Sequence, residues 1–239
     1  MTAPFRVTGM SAISRAMSVK VKICGLNSRA AAEAALKAGA DFGGLVFFPK
    51  SPRHVRPEEA RVLASMMRGR MRIVALLVDP SDSAVEETIA AVAPDFLQLH
   101  GKESPARVAA VAALAKCPII KALPVADAAD VATARIYEDT AEYILFDAKA
   151  DASATRPGGL GAAFDWRLLS GTMFKRPFGV AGGLSPENVT RAIAIASPAF
   201  VDASSGVEDA PGVKSAQKIA AFVSNARNAT MVSEASGAA

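Results

Sequence analysis

Along this chain, short runs of branched apolar residues recur at a steady interval, at 21–24, 44–48, 72–78, 96–99, 119–123, 143–146, 178–181 and 199–201. The runs show little alternation of apolar and polar positions, so each reads as a strand buried on both faces, the pattern of a parallel sheet covered by helices. Between them lie Ala-rich segments in which apolar positions return every three to four residues, over 28–38, 57–67, 83–92, 104–115, 186–195 and 213–225. Ser185-Pro186-Glu187 has the form of a helix start, with Ser as N-cap and Pro at the first helical position. Eight strand–helix units favour a closed (β/α)8 TIM barrel of the α/β class. An open doubly wound sheet would carry fewer strands and a G-x-G-x-x-G turn after the first, where this chain reads Cys24-Gly25-Leu26-Asn27.

Composition narrows the reading to one domain. The 239 residues, 51% of them hydrophobic, can bury one substantial core, and no linker divides them. The barrel is expected over 19–229, after a flexible N-terminal extension (1–18) and before a flexible C-terminal tail (230–239). The first 18 residues lack the apolar core of a targeting segment, and Met17 stands as an alternative start. No run is long and apolar enough to span a bilayer, so no membrane partner is expected. A net charge of +4, with 27 basic residues scattered rather than gathered in a stripe, gives nucleic acid no footprint. Two cysteines far apart form neither a disulfide framework nor a zinc-ligand spacing, which fits a reducing, cytoplasmic setting and predicts no metal.

A barrel of this kind builds its site from the loops that follow the strands. Cys24 ends the first apolar run and Asp147 the sixth, so one thiol and one carboxyl delivered by strand tips suggest a proton-transfer pair. His100-Gly101 follows the fourth run. Glycines and serines gather after runs six, seven and eight: Gly158-Gly159-Leu160-Gly161, Gly182-Gly183, and Ser204-Ser205-Gly206 after Asp202. Exposed backbone N–H groups and hydroxyls of that kind close around phosphate oxygens, which points to a phosphorylated small molecule. Each element has a duller explanation alone: a packed cysteine, a histidine satisfying a carbonyl, a tight turn. Their coincidence at one end of one barrel favours a site.

The segments Val21-Lys22-Ile23-Cys24-Gly25, Phe47-Phe48-Pro49-Lys50-Ser51-Pro52-Arg53, Leu97-Gln98-Leu99-His100-Gly101, Leu145-Phe146-Asp147, Ala181-Gly182-Gly183-Leu184-Ser185-Pro186-Glu187-Asn188 and Val201-Asp202-Ala203-Ser204-Ser205-Gly206-Val207-Glu208 closely resemble the phosphoribosylanthranilate isomerase family of tryptophan biosynthesis. The resemblance covers about 19–225. It implies an Amadori rearrangement of N-(5-phosphoribosyl)anthranilate to 1-(2-carboxyphenylamino)-1-deoxyribulose 5-phosphate, with no cofactor. Asp147 matches the family's general acid and Cys24 its general base. Arg53 matches an arginine whose fork would pair with the anthranilate carboxylate, and His100 and Asp202 match positions near the substrate. The phosphate would lie on Gly159, Gly161, Gly182, Gly183, Ser204, Ser205 and Gly206. Assembly is expected as a monomer or homodimer.

Both proton-transfer roles run against resting ionisation, since free Asp and Cys titrate near about 3.9 and 8.5. Asp147 needs its pKa raised by burial or a nearby anion, and Cys24 needs help toward thiolate. Lys22, two positions before Cys24 and so on the same strand face, is the candidate cation. The chain departs from the family where relatives usually read Gly-Gly-Ser/Thr-Gly-Lys: Leu160 and Ala162 remove a hydroxyl and a cation from the loop. Other readings are a related phosphosugar isomerase and a catalytically silent phosphate-binding barrel. The histidine-pathway isomerase uses a carboxylate where Cys24 stands, and a metal-dependent epimerase needs more histidines than His54 and His100 supply.

Overall fold

The computed structural model describes residues 19–149 and 163–229. The two terminal segments, Gly159, Gly161, Leu160 and Ala162 lie outside the described residues. Eight parallel strands close into a barrel in sequence order: β1 (Lys20–Cys24), β2 (Phe42–Val46), β3 (Arg72–Leu77), β4 (Phe96–Leu99), β5 (Ile119–Val125), β6 (Tyr143–Ala148), β7 (Phe178–Val180) and β8 (Phe200–Ala203). Helices α1 (Arg29–Ala38), α2 (Pro57–Met67), α3 (Asp82–Val92), α4 (Pro105–Ala115), α5 (Ala128–Ala132), α6 (Val189–Ala196) and α7 (Ala216–Arg227) accompany them. Ser28, Ser81 and Ser104 start α1, α3 and α4 by accepting a backbone N–H three residues on. No helix among the described residues is long and apolar enough to cross a membrane.

What fills the barrel decides which end is open. Phe42, Phe96, Tyr143 and Phe200, one from each even-numbered strand, form a closed square of rings with centroids 5.5–5.9 Å apart. Such a layer of four from alternate strands is how these barrels pack their interiors, and each ring pair adds about 0.5–1.5 kcal/mol beyond its burial. Gly179 of β7 gives Phe200 its room, since a Cβ there would strike the ring. The aromatic layer closes the end where the strands begin. At the other end the interior side chains are smaller or polar, and the barrel opens.

The sequence placed β4 to the residue and most other strand ends within two. It placed β2 two residues late, at 44–48, where the strand runs Phe42–Val46. Both glycines lie within β2 because neighbours crowd them: a Cβ on Gly43 would sit 2.6 Å from Met67 Sδ, and one on Gly44 3.0 Å from Cys24 Cα. The helix expected from Pro186 begins at Val189. Asn188 accepts the Ser185 N–H and donates to the Gly183 carbonyl, holding 186–188 as a turn. The helix expected from Val213 begins at Ala216. Val213–Lys214 (β10) instead pairs antiparallel with Glu208–Ala210 (β9), around Gly212 at φ +83°. Short α5 had no counterpart in the periodicity.

Candidate active site

Closure of the barrel sets the centre of the site. β1 pairs with β8 so that Lys22 stands opposite Asp202, and Lys22 Nζ donates to Asp202 Oδ2 at 2.8 Å. Lys22 is fully buried. Burial opposes its charge, but Asp202 and Cys24 outweigh that and raise its pKa. Cys24, one pleat above and 5% exposed, feels the converse. Burial pushes its thiol up; Lys22 and Lys214 pull it down and Asp202 pushes it up, with a net rise. The expected assistance from Lys22 is present, yet burial exceeds it, so the resting group is a thiol. Gly44 faces this pair, and a Cβ there would lie 3.1 Å from Cys24 Sγ and 3.3 Å from Lys22 Nζ.

Across the mouth, Asp147 on β6 brings Oδ2 to 3.1 Å from His100 Nε2. Gln98, one pleat below His100, sets its Nε2 3.4 Å from His100 Nδ1. Gly182, at φ +78°, runs so close that a Cβ would collide with Ala148 and sit 2.8 Å from Asp147 Oδ1. Only glycine meets both demands. Cys24, His100, Asp147 and Asp202 line one cleft. Val46, Phe48, Leu76 and Val78 form its apolar wall on the β2–β3 side.

Arg53 also lines this cleft, but most of its fork is already engaged. Nε and Nη2 donate to the two oxygens of Glu208, both at 2.7 Å, and the stem lies over Gly25. Nη1 donates to no other described residue. Glu208 also accepts from Lys214 Nζ at 2.7 Å. Burial pushes its carboxyl up, but Arg53 and Lys214 hold it below the usual range. The fork expected to pair with a ligand carboxylate thus pairs with Glu208 through Nε and Nη2, leaving its outer end.

On the β7–β8 side, Gly182, Gly183, Ser204 and Ser205 line the cleft. The N–H groups of Gly182, Gly183 and Ser204 make no hydrogen bond to another described residue. The Ser204 hydroxyl donates to the Cys24 carbonyl at 3.2 Å, which leaves its backbone N–H as the donor for a ligand. Gly206 stands apart from the lining, because a Cβ would strike the Leu184 carbonyl. It lets the β8 loop pack on the β7 loop. Glu208, Lys214, Gln98 and the apolar wall were not among the candidate residues. Pro211-Gly212 was a turn signal that would have set Glu208 opposite Lys214.

The model of the family described as N-(5'-phosphoribosyl)anthranilate (PRA) isomerase matches residues 21–225. A relative of that name from Rhodopseudomonas palustris (strain BisA53) is 52% identical over 211 residues, 88% of this chain and 97% of the relative. The crystal structure of phosphoribosyl anthranilate isomerase from Thermotoga maritima superposes with a TM-score of 0.79 at 35% identity, covering 87% of this chain and 98% of that one. A second structure, of such an isomerase in complex with reduced 1-(o-carboxyphenylamino)-1-deoxyribulose 5-phosphate, gives a TM-score of 0.74 at 32% identity, with the same coverage.

Proposed function

The chain belongs to the phosphoribosylanthranilate isomerase family, and from that premise we propose that Asp147 is the general acid and Cys24 the general base of its reaction. The enzyme catalyses the Amadori rearrangement of N-(5-phosphoribosyl)anthranilate to 1-(2-carboxyphenylamino)-1-deoxyribulose 5-phosphate in tryptophan biosynthesis. Asp147 gives its proton to the furanose ring oxygen, and the ring opens to a Schiff base as the C1–O bond breaks. Cys24 thiolate takes the proton from C2, forming the enolamine. Protonation at C1 and loss of the C2 hydroxyl proton then give the ketone, with no net change in protons.

The observation that carries this reading is the division of one cleft into three sectors. The apolar wall beside Arg53 suits an aromatic ring with its carboxylate on the Nη1 end. The unengaged N–H groups at Gly182, Gly183 and Ser204 suit the phosphate. Cys24 and Asp147 then flank the sugar carbons between. His100 and Asp202 act beside them, His100 on the acid and Asp202 through Lys22 on the base. A thiol base works only while reduced, which supports a cytoplasmic setting; both cysteines are free. Cys117, whose thiol burial pushes up to about 11, precedes β5 at the closed end, remote from Cys24.

Turnover of freshly generated phosphoribosylanthranilate, followed by loss of anthranilate fluorescence, tests the function, and robust wild-type turnover is expected. A folded protein that binds the product analogue without turnover would make the chain a silent phosphate-binding barrel. Gly182→Ala should lower kcat/KM at least about tenfold, because a side chain at φ +78° is strained and its Cβ displaces the Asp147 carboxyl. Steady-state kinetics at matched folded fraction checks this, and wild-type kcat/KM would remove Gly182 from the acid's support.

A further inference from the structure

We propose that Glu208, held in place by Lys214, is a specificity-determining positioning residue: it turns Arg53 so that only the outer end of the guanidinium faces the cleft, and so makes the site select a ligand bearing an aryl carboxylate. The proposal rests on the reading that Arg53 meets that carboxylate.

A guanidinium offers two bidentate edges, the Nε/Nη2 side and the Nη1/Nη2 end. Glu208 occupies the side with two 2.7 Å bonds. Arg53 is only 5% exposed, and its stem is pressed on Gly25, where a Cβ would lie 2.6 Å from Arg53 Cδ. Turning the head away from this edge would break both bonds to Glu208. Glu208 is itself fixed by Lys214 Nζ at 2.7 Å and by the Gly212 N–H at 3.2 Å. The hairpin that carries it meets the Arg53 loop a second time, because Gly212 sits where a Cβ would be 2.6 Å from the Pro52 carbonyl. Its turn is also tied to the loop after β1, through Asn27 Nδ2 and the Gly212 carbonyl at 2.9 Å.

Charge points the same way. Arg53, Lys214 and Glu208 together leave one positive charge in a largely buried setting. One carboxylate on Nη1 would balance it, whereas a neutral aryl group would leave it unmatched. Lys214 also donates to the Ser204 carbonyl at 3.0 Å, and the Ser204 hydroxyl reaches the Cys24 carbonyl. The anchor for the carboxylate is thus braced against the strand tips that carry the base and the phosphate loop.

The test is calorimetric binding of two reduced product analogues, the carboxyphenylamino compound and its phenylamino counterpart. Wild type should prefer the first by roughly 100-fold, the scale of a charged, partly buried hydrogen-bonded contact. Glu208→Gln keeps the shape but loses one of the two oxygens that hold Arg53 Nε and Nη2. Because it also adds net positive charge, which by itself favours a carboxylate, a fall in the preference below about tenfold reads the lost orientation of the guanidinium, and the phenylamino compound should bind within about threefold of wild type. Glu208→Asp should recover part of the preference, and Lys214→Met, which leaves Arg53 its partner, should lower it less than Glu208→Gln. Equal weakening of both compounds in Glu208→Gln, or an unchanged preference, would overturn the proposal. A wild type with no preference would instead overturn the Arg53 assignment beneath it.

Discussion

Cys24→Ser and Asp147→Asn each lower kcat/KM for phosphoribosylanthranilate by about 10²–10⁴-fold, the range a positioned acid or base contributes. Serine replaces the thiol with a hydroxyl that cannot serve as a base at neutral pH, while Lys22 beside it still offers a hydrogen-bond donor. Asparagine matches aspartate in shape and stays beside His100 Nε2, but it has no acidic proton to give to the ring oxygen. Melting by circular dichroism separates chemistry from folding. Both variants should retain a cooperative transition and bind the reduced product analogue within about tenfold of wild type, because neither residue carries the carboxylate or phosphate contacts. Turnover within about threefold of wild type in either variant would take that residue out of its role.

The pH profile follows from the ionisation that the mechanism needs. The active form pairs protonated Asp147 with Cys24 thiolate, the reverse of what each group prefers when free. The rate falls above the Cys24 value, where rising pH no longer adds thiolate. Burial raises the Cys24 pKa, so the alkaline limb of kcat/KM lies above that of a free thiol.

Much of this architecture was legible along the chain, for a physical reason. Strands covered on both faces are continuous apolar runs, and whatever ends such a run lies at the mouth of the barrel. Cys24, His100, Asp147 and Gly182 could be read as strand tips on that ground, and all line the cleft. The start of β2 was placed two residues late, since Phe42 and Gly43 do not extend a run of branched residues, although Gly43 packs against Met67 and Met71 inside the strand. Lys22 was visible as a neighbour of Cys24 by strand periodicity, but its partner Asp202 is 180 residues away and is set by the β1–β8 register. Glu208 escaped notice because its role depends on a hairpin that turns it back over the Arg53 loop, a contact across 155 residues. Arg53 had no local signal and was singled out through family resemblance alone.

Lys22→Met should damage both stability and rate, and the two losses should differ in their response to pH. Removing one member of a buried ion pair leaves the other unmatched, at a cost of about 3–5 kcal/mol. In a chain of this size each kcal/mol is worth roughly 2–4 °C, so a fall in Tm of about 10 °C is expected near neutral pH. Burial has already raised the Asp202 pKa, with Lys22 holding it down, so loss of Lys22 raises it further. A carboxyl whose folded pKa exceeds its unfolded value binds more protons in the native state, and stability then falls as pH rises between those values. The Tm deficit of Lys22→Met should therefore shrink at acid pH, where Asp202 is neutral, and grow toward alkaline pH; a deficit that does not change with pH would show that Asp202 does not carry the lost energy. The rate responds through Cys24. Without the Lys22 cation its pKa climbs, thiolate becomes scarcer, and kcat/KM drops about tenfold for each unit while the alkaline limb moves to higher pH. An unchanged alkaline limb would separate Lys22 from the base and reduce its function to neutralising Asp202.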